Sequence, residues 1–505
     1  MIRNALRAVV QRSAAMRFRR RRTFTWRDMR WLVPGAAVLV AAPAAQQARP
    51  LEPGVIHARV TPLADPSYGY ALFLPASYTP DRKWPVLFAF DPMARGELPV
   101  EQARGMAERY GYIVAGSLDA QNGPMAPQVD AARVMMQDVA ARLSIDPARV
   151  YVTGFSGAAR VSVMVATLCE SCITGVLAHG AGYPSGVEPA RNTAFDYFGT
   201  VGDADFNYAE VVRLHEQLDD LGIPNRLRVF EGPHGWPPEA VWEQAFDWLE
   251  LRAMQRGLRA RDERFVSAQW RIGLERAEQF EKAGDGRRAW YEYEKLAKEL
   301  SDLTDAGHAR GRAEALRRDP DVERARRRER DELDRHRRIV AEIAGMVHAT
   351  RQPDADPLLR ARLRQRFTEL QTETASVDAH RALAARRVLA HVFAETFTAG
   401  RTQLTEGNFR QAQELLEIAL DASPEARLGW VHLAAVYALQ GRREDASRAL
   451  SHADGPGFDA EWHLARLARH FQKRQKHNEA DALFRLARHG SGAADAPERP
   501  EGPDD

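Results

Sequence analysis

Val150-Tyr151-Val152-Thr153-Gly154-Phe155-Ser156-Gly157-Ala158-Ala159-Arg160 is the stretch whose reading decides the fold. An apolar, β-branched run ends in a Gly, a bulky residue, a Ser and then small residues, after which an apolar helical pattern begins. That order predicts a strand, a sharp turn and a helix, with a serine hydroxyl at the apex. Small residues on both sides of the Ser let the strand and helix backbones approach, as a nucleophile elbow requires.

Outward from this turn, strand and helix patterns alternate. Residues 55–61 and 68–74 read as an opening strand pair separated by a Pro-Ser turn. Trp84-Pro85-Val86-Leu87-Phe88-Ala89-Phe90 is a continuous apolar run, as in a strand buried on both faces. Residues 112–116, 175–179, 195–201 and 226–230 read as further strands. Helical patterns cover 99–110, 129–143 (with Met135, Val139 and Leu143 on one face), 157–168, the segment through 218, and 238–251. The alternation predicts a mostly parallel sheet with helices on both faces.

Ligands bind such sheets at the carboxyl ends of the strands. Ser156 follows its strand directly, Asp203 and Asp205 follow the strand at 195–201, and His234 follows the strand at 226–230. The chain order is Ser, Asp, His, the order this architecture uses. A serine hydroxyl is a weak nucleophile, an imidazole must take its proton and return it to the leaving group, and a carboxylate must hold the imidazole in the right tautomer. Asp205 is preferred as the acid because it lies at the outer end of its loop. Asp203 is the alternative acid, and either residue could instead cap the next helix. The oxyanion is expected to take the Gly157 N–H and one from Asp91-Pro92-Met93-Ala94-Arg95-Gly96. Pro92 has no N–H, so Met93 or Ala94 must donate, with Met93 preferred. Asp91 reads as a brace for that loop. Phe155, His179 and Trp236 are pocket candidates, although His179 reads better as a packed histidine supporting the elbow, and Trp236 could be a plain wall residue. Asn122-Gly123-Pro124 reads as a turn near the rim. Cys169 and Cys172 are the two cysteines of the chain; they form either a local disulfide or two buried thiols, and make only half a zinc site. No metal or organic cofactor is expected.

With Val152-Thr153-Gly154-Phe155-Ser156-Gly157-Ala158, Asp205-Phe206-Asn207-Tyr208 and Pro233-His234-Gly235, this region resembles the α/β-hydrolases, in the feruloyl esterase-like and polyhydroxybutyrate depolymerase-like branch. Ala158 stands where the family motif ends in Gly, and the His-Gly that many members carry after the third strand is missing. The resemblance implies hydrolysis of a carboxylic ester. A dienelactone hydrolase- or peptidase-like enzyme on the same fold is one alternative; a non-catalytic binding protein using its helical half is another.

From residue 256 the composition shifts to Arg, Glu, Ala and Leu, which predicts helices. A 34-residue spacing relates Gly407 and Ala412 to Gly441 and Ala446, and Ala480 continues the series. Trp430, Leu433, Ala434 and Tyr437 open one unit. Leu467, Ala468 and Phe471 open the next, whose Gly position is Gln475. This resembles the tetratricopeptide repeat, with a degenerate unit at 270–303. Such repeats imply a surface for a protein partner. Residues 317–338 interleave both charges and read as a solvated helix face, and Ile339, Ile343, Met346 and Val347 as core.

The N-terminus carries basic residues at Arg19 to Arg22 and Arg30, an apolar run from Trp31, and small residues to Ala45. That order reads as a signal for export to the periplasm or beyond, and a membrane link only if it stays uncleaved. The expected segments are therefore 1–48 for export, 50–255 for the hydrolase region, 256–400 helical, 401–488 repeats and 489–505 a disordered tail. A net charge of +2 with interleaved signs gives no footprint for nucleic acid.

Overall fold

The computed structural model describes residues 51–490 apart from Glu170, Pro353 and Ala355; the expected export segment and the tail from 491 lie outside the described residues. Contacts divide the chain into two compact units that do not follow chain order. The first holds residues 51–201, 210–230 and 235–319 of those described. The second holds 202–209, 231–234 and the described residues from 320 to 490.

The first unit is built on eight strands: β1 Ile56–Val60, β2 Tyr70–Phe73, β3 Trp84–Phe90, β4 Ile113–Ser117, β5 Ile145–Phe155, β6 Gly175–His179, β7 Asp196–Gly202 and β8 Asn225–Phe230. Their order in the sheet is β1-β2-β4-β3-β5-β6-β7-β8. β1 and β2 enter antiparallel, and β4, β3, β5, β6 and β7 run parallel. The helices are α1 Glu97–Tyr110, α2 Met125–Arg142, α3 Gly157–Leu168, α4 Tyr208–Asp220, α5 Glu239–Gln255, α6 Glu263–Lys282, α7 Gly286–Leu300 and α8 Gly307–Arg317. α2 begins earlier than the pattern at 129–143 suggests. Pro124 precedes its first turn, and Pro127 falls within that turn, where a missing N–H costs nothing.

Because side chains alternate along a strand, each inner strand feeds two cores. Val86, Phe88, Val150, Val152 and Val176 pack with Met135 and Val139 of α2 and Val161 and Val165 of α3. Leu87, Val114, Tyr151, Leu177 and Phe198 pack on the other face with Val100 and Met106 of α1 and Trp242 and Phe246 of α5. Cys169 and Cys172 are joined by a disulfide just past α3.

The helices of the second unit are α9 Pro320–Thr350, α10 Leu359–Glu373, α11 Ala379–Glu406, α12 Phe409–Ala422, α13 Arg427–Leu439, α14 Arg443–Ser451, α15 Ala460–Lys473 and α16 His477–Gly490. Ala412, Ala446 and Ala480, the small residues of the 34-residue spacing, are all buried. The turn position two residues past α15 is Gln475, and its φ of 60° matches the left-handed sense of Gly407 at 94° and Gly441 at 79°. In α9 the charged stretch pairs along its own surface, as Arg327 with Glu323 and Arg337 with Asp334, while Ile339, Ile343 and Val347 enter the core. Among the described residues no helix is long and apolar enough to cross a membrane.

Candidate active site

The elbow lies in the first unit. β5 ends at Phe155, α3 starts at Gly157, and Ser156 between them has φ 55° and ψ −125°. A side chain rarely adopts such a backbone, and holding it there costs about 1–3 kcal/mol. A Ser that precedes a helix ordinarily caps it, yet the Ser156 side chain makes no cap bond to α3. Its N–H donates instead to His179 O at 2.8 Å. Gly154 explains the tightness: a Cβ there would lie 2.3 Å from Ala158 O. Gly157 is the first helical residue, so its N–H has no acceptor one turn back, and the positive end of the helix adds to its pull on an anion.

Around the elbow the aromatic residues are pinned. His179 is fully buried, with Nδ1 2.9 Å from Thr200 Oγ1 and Nε2 3.1 Å from Thr153 Oγ1. Burial pushes its pKa down to about 3, so it stays neutral. Both ring nitrogens are engaged inside the sheet, which makes it a packed histidine. Trp236 Nε1 donates to Asp91 Oδ2 at 3.1 Å, and its ring lies against Phe155 and His179.

Asp91 is fully buried and gathers its own loop. Arg95 Nε reaches its Oδ1 and Arg95 Nη2 its Oδ2, each at 3.0 Å. The Met93 N–H also donates to Oδ1, at 2.9 Å, and the Ala94 N–H to Asp91 O at 3.0 Å. The Met93 amide expected at the oxyanion thus already has an acceptor in Asp91: a buried carboxylate needs donors, and the loop's own amides supply them. Asn122, read from the sequence as part of a turn near the rim, stands beside the elbow. A Cβ on Gly157 would lie 2.0 Å from Asn122 Oδ1 and 3.4 Å from Asn122 Nδ2. Asn122 is tethered by its N–H to Pro92 O at 2.8 Å. The amide end of Asn122 therefore sits at the start of α3, where a side-chain N–H can serve as a donor. The sequence placed this turn near the rim but gave Asn122 no role there, because only the fold brings 122 to 157.

The acid and histidine loops lie in the second unit. Gly202 lets them meet, since a Cβ there would lie 2.3 Å from Gly232 O. Ala204 N donates to Gly232 O and Gly232 N to Asp203 Oδ1, both at 3.0 Å. Asp203 thus ties one loop to the other. Asp205 is fully buried; its Oδ1 accepts from Asn207 N at 2.8 Å, and its Oδ2 lies 2.9 Å from His234 Nδ1. The ring of Phe206 packs against His234, centroids 4.2 Å apart.

The tetratricopeptide repeat model matches residues 403–469. A search of curated proteins finds no match. Among solved structures the chain is similar to a ferulic acid esterase, at 14% identity over 39% of this chain and 96% of that one, with a TM-score of 0.32. It is similar to an esterase of Pyrobaculum calidifontis, at 12% identity over 40% and 87%, TM-score 0.33. It is also similar to the fluorophosphonate-binding serine hydrolase F of Staphylococcus aureus, at 13% identity over 39% and 98%, TM-score 0.31. Likeness at this level carries no inference about what this chain does. The repeat match does establish that the helical half contains a tetratricopeptide-repeat segment.

Proposed function

We propose that this chain is a serine hydrolase of α/β-hydrolase type that cleaves carboxylic esters, with Ser156 as nucleophile, His234 as general base and acid, and Asp205 as the carboxylate that orients His234. The observation that carries the reading is the pairing of Asp205 with His234 Nδ1 at 2.9 Å. A buried carboxylate on Nδ1 fixes the tautomer whose Nε2 takes a proton. The strained backbone of Ser156 supports it from the other side. Ser156 Oγ attacks the acyl carbon and its proton passes to His234. The tetrahedral oxyanion is held by the Gly157 N–H and, in place of the Met93 amide, by Asn122 Nδ2. Collapse breaks the ester C–O bond, the alcohol leaves with the proton from His234, and water, deprotonated by His234, then frees the acid from Ser156.

A fluorophosphonate probe on the purified full chain tests this reading. Labelling that disappears in Ser156→Ala is expected, and a wild type that does not label overturns it. A panel of short-chain, feruloyl and hydroxyalkanoate esters then finds the acyl group preferred. The repeat segment, on the same proposal, holds a protein or peptide partner. Export remains part of it, and the Cys169–Cys172 bond accords with an oxidising compartment.

A further inference from the structure

The loops that bear Asp205 and His234 belong to the same compact unit as the helices from residue 320 onward. Within that unit, α11 meets the acid loop at two side chains one turn apart. Arg387 Nε donates to Asp203 O at 2.5 Å, and its guanidinium carbon lies 3.6 Å from the centroid of the Tyr208 ring. His391 Nδ1 lies 3.4 Å from Phe206 O, and its ring meets Phe206 edge-on. Phe206 in turn packs on His234. From α9, Glu329 Oε1 accepts from the Tyr208 hydroxyl at 3.2 Å. The positions flanking Asp205, namely 203, 206 and 208, are thus each held by a helix side chain.

The chemistry of the clamp suits positioning. A guanidinium is planar and combines a directed N–H with stacking on an aromatic face, which fixes a backbone carbonyl and a ring together. Arg387 is partly buried, and its charge is faced by Tyr208, Asp203, Glu332 and Glu329. Arg387 meets the loop at Asp203 and Tyr208, and its effect on the reaction is argued through those two residues.

We propose that Arg387 is a positioning residue for the Asp205–His234 pair, so that α11 of the repeat-bearing half sets the geometry of proton transfer. The inference rests on the serine hydrolase reading given above. The test uses the purified full chain as wild type, Arg387→Ala and Arg387→Lys. Each is followed by the rate of fluorophosphonate labelling and by hydrolysis of p-nitrophenyl butyrate across a pH series. Arg387→Ala is expected to lower kcat about 10- to 100-fold with KM little changed, because only the alignment of proton transfer is lost. The acid limb of the pH profile is expected to move to lower pH, since a loosened Asp205 supports the imidazolium less. Arg387→Lys keeps a donor without the planar stack and recovers part of the rate. A wild type inert to the probe overturns the serine hydrolase reading and this inference with it. A reactive wild type matched by Arg387→Ala in kcat and pH profile overturns this inference alone. Should Arg387→Ala fail to fold by circular dichroism, His391→Ala carries the test: a smaller change in the same direction supports the inference, and an unchanged kcat and profile overturns it.

Discussion

The carbonyl oxygen of Asp203 and Nε of Arg387 lie 2.5 Å apart across 184 positions of chain. The same loop separates the tasks of its two acids. Asp203 Oδ1 binds Gly232 N, whereas Asp205 Oδ2 meets His234 Nδ1. Asp205→Asn is therefore expected to lower kcat about 10³- to 10⁴-fold by disfavouring the required tautomer. Asp203→Asn is expected to keep most of kcat and to lose about 1 kcal/mol of stability through a weakened bond between the loops. Steady-state kinetics on both variants check the division, and equal losses would show that it is drawn in the wrong place.

The backbone at Ser156 stores strain that glycine would release. With φ at 55°, Ser156→Gly is expected to be more stable than Ser156→Ala by about 1 kcal/mol, both being inactive. Urea melts of the two read the difference directly. Gly154→Ala should go the other way and lose about 3 kcal/mol or more, because the added methyl would sit 2.3 Å from a backbone oxygen.

On the proposed function Asn122 Nδ2 is an oxyanion donor, so its two simplest replacements should rank. Asn122→Ala is expected to lower kcat about 100-fold, and Asn122→Asp further, since a carboxylate beside the oxyanion only accepts and repels. A single-turnover assay with an activated ester separates this from acyl-enzyme breakdown. An Asn122→Asp variant as fast as wild type would remove Asn122 from the oxyanion site.

Acid should destabilise both units through buried histidines. Burial pushes His179 and His215 in the first unit down to about 3, and His336 and His432 in the second to about 4. Each is neutral when folded and gains a proton more readily when unfolded, near its ordinary value of about 6.5. Their stabilising contribution is whole above that value and is lost as pH falls from there towards the folded pKa. Each contributes a slope of about 1.4 kcal/mol per pH unit in that window. Melting temperatures measured downward from neutral pH are expected to drop steeply below about pH 6.5. Thr200→Val leaves His179 Nδ1 without its 2.9 Å partner and should lower stability even at neutral pH.

In the repeats, Gln475 takes the left-handed turn that Gly407 and Gly441 take elsewhere. Gln475→Gly is expected to gain about 0.5–1 kcal/mol, the steric cost of a side chain at positive φ exceeding the entropy that glycine adds to the unfolded chain. Thermal melting of the full chain reads it as a higher transition for the helical unit.

Sequence periodicity carried the strand and helix pattern far because burial dictates it locally. Continuous apolar runs such as 86–90 become strands covered on both faces, and the spacing of Ala412, Ala446 and Ala480 becomes a line of buried small residues. Short motifs pointed to Ser156, to His234 and to the loop that holds both acids, because their local settings are distinctive. Three features were illegible for a common reason: they depend on which distant loops touch. The Met93 amide donates to Asp91 because that carboxylate is buried and must be satisfied. Asn122 reaches Gly157 only through the fold. Residues 202–209 and 231–234 sit amid the strand-and-helix region in sequence, yet their contacts group them with helices from 320 onward.

α11 spans 28 residues, about 42 Å of helix, with Arg387 in its first half and the start of the repeat match at residue 403 near its end. This bears on how the gene is cut for expression. A fragment stopped at the change of composition near residue 256 keeps Ser156, Asp205 and His234 but discards Glu329, Arg387 and His391, which hold positions 203, 206 and 208. On the proposed function, screening such a truncated product would understate any activity, and a panel of test esters should be run on the chain carried through at least Glu406.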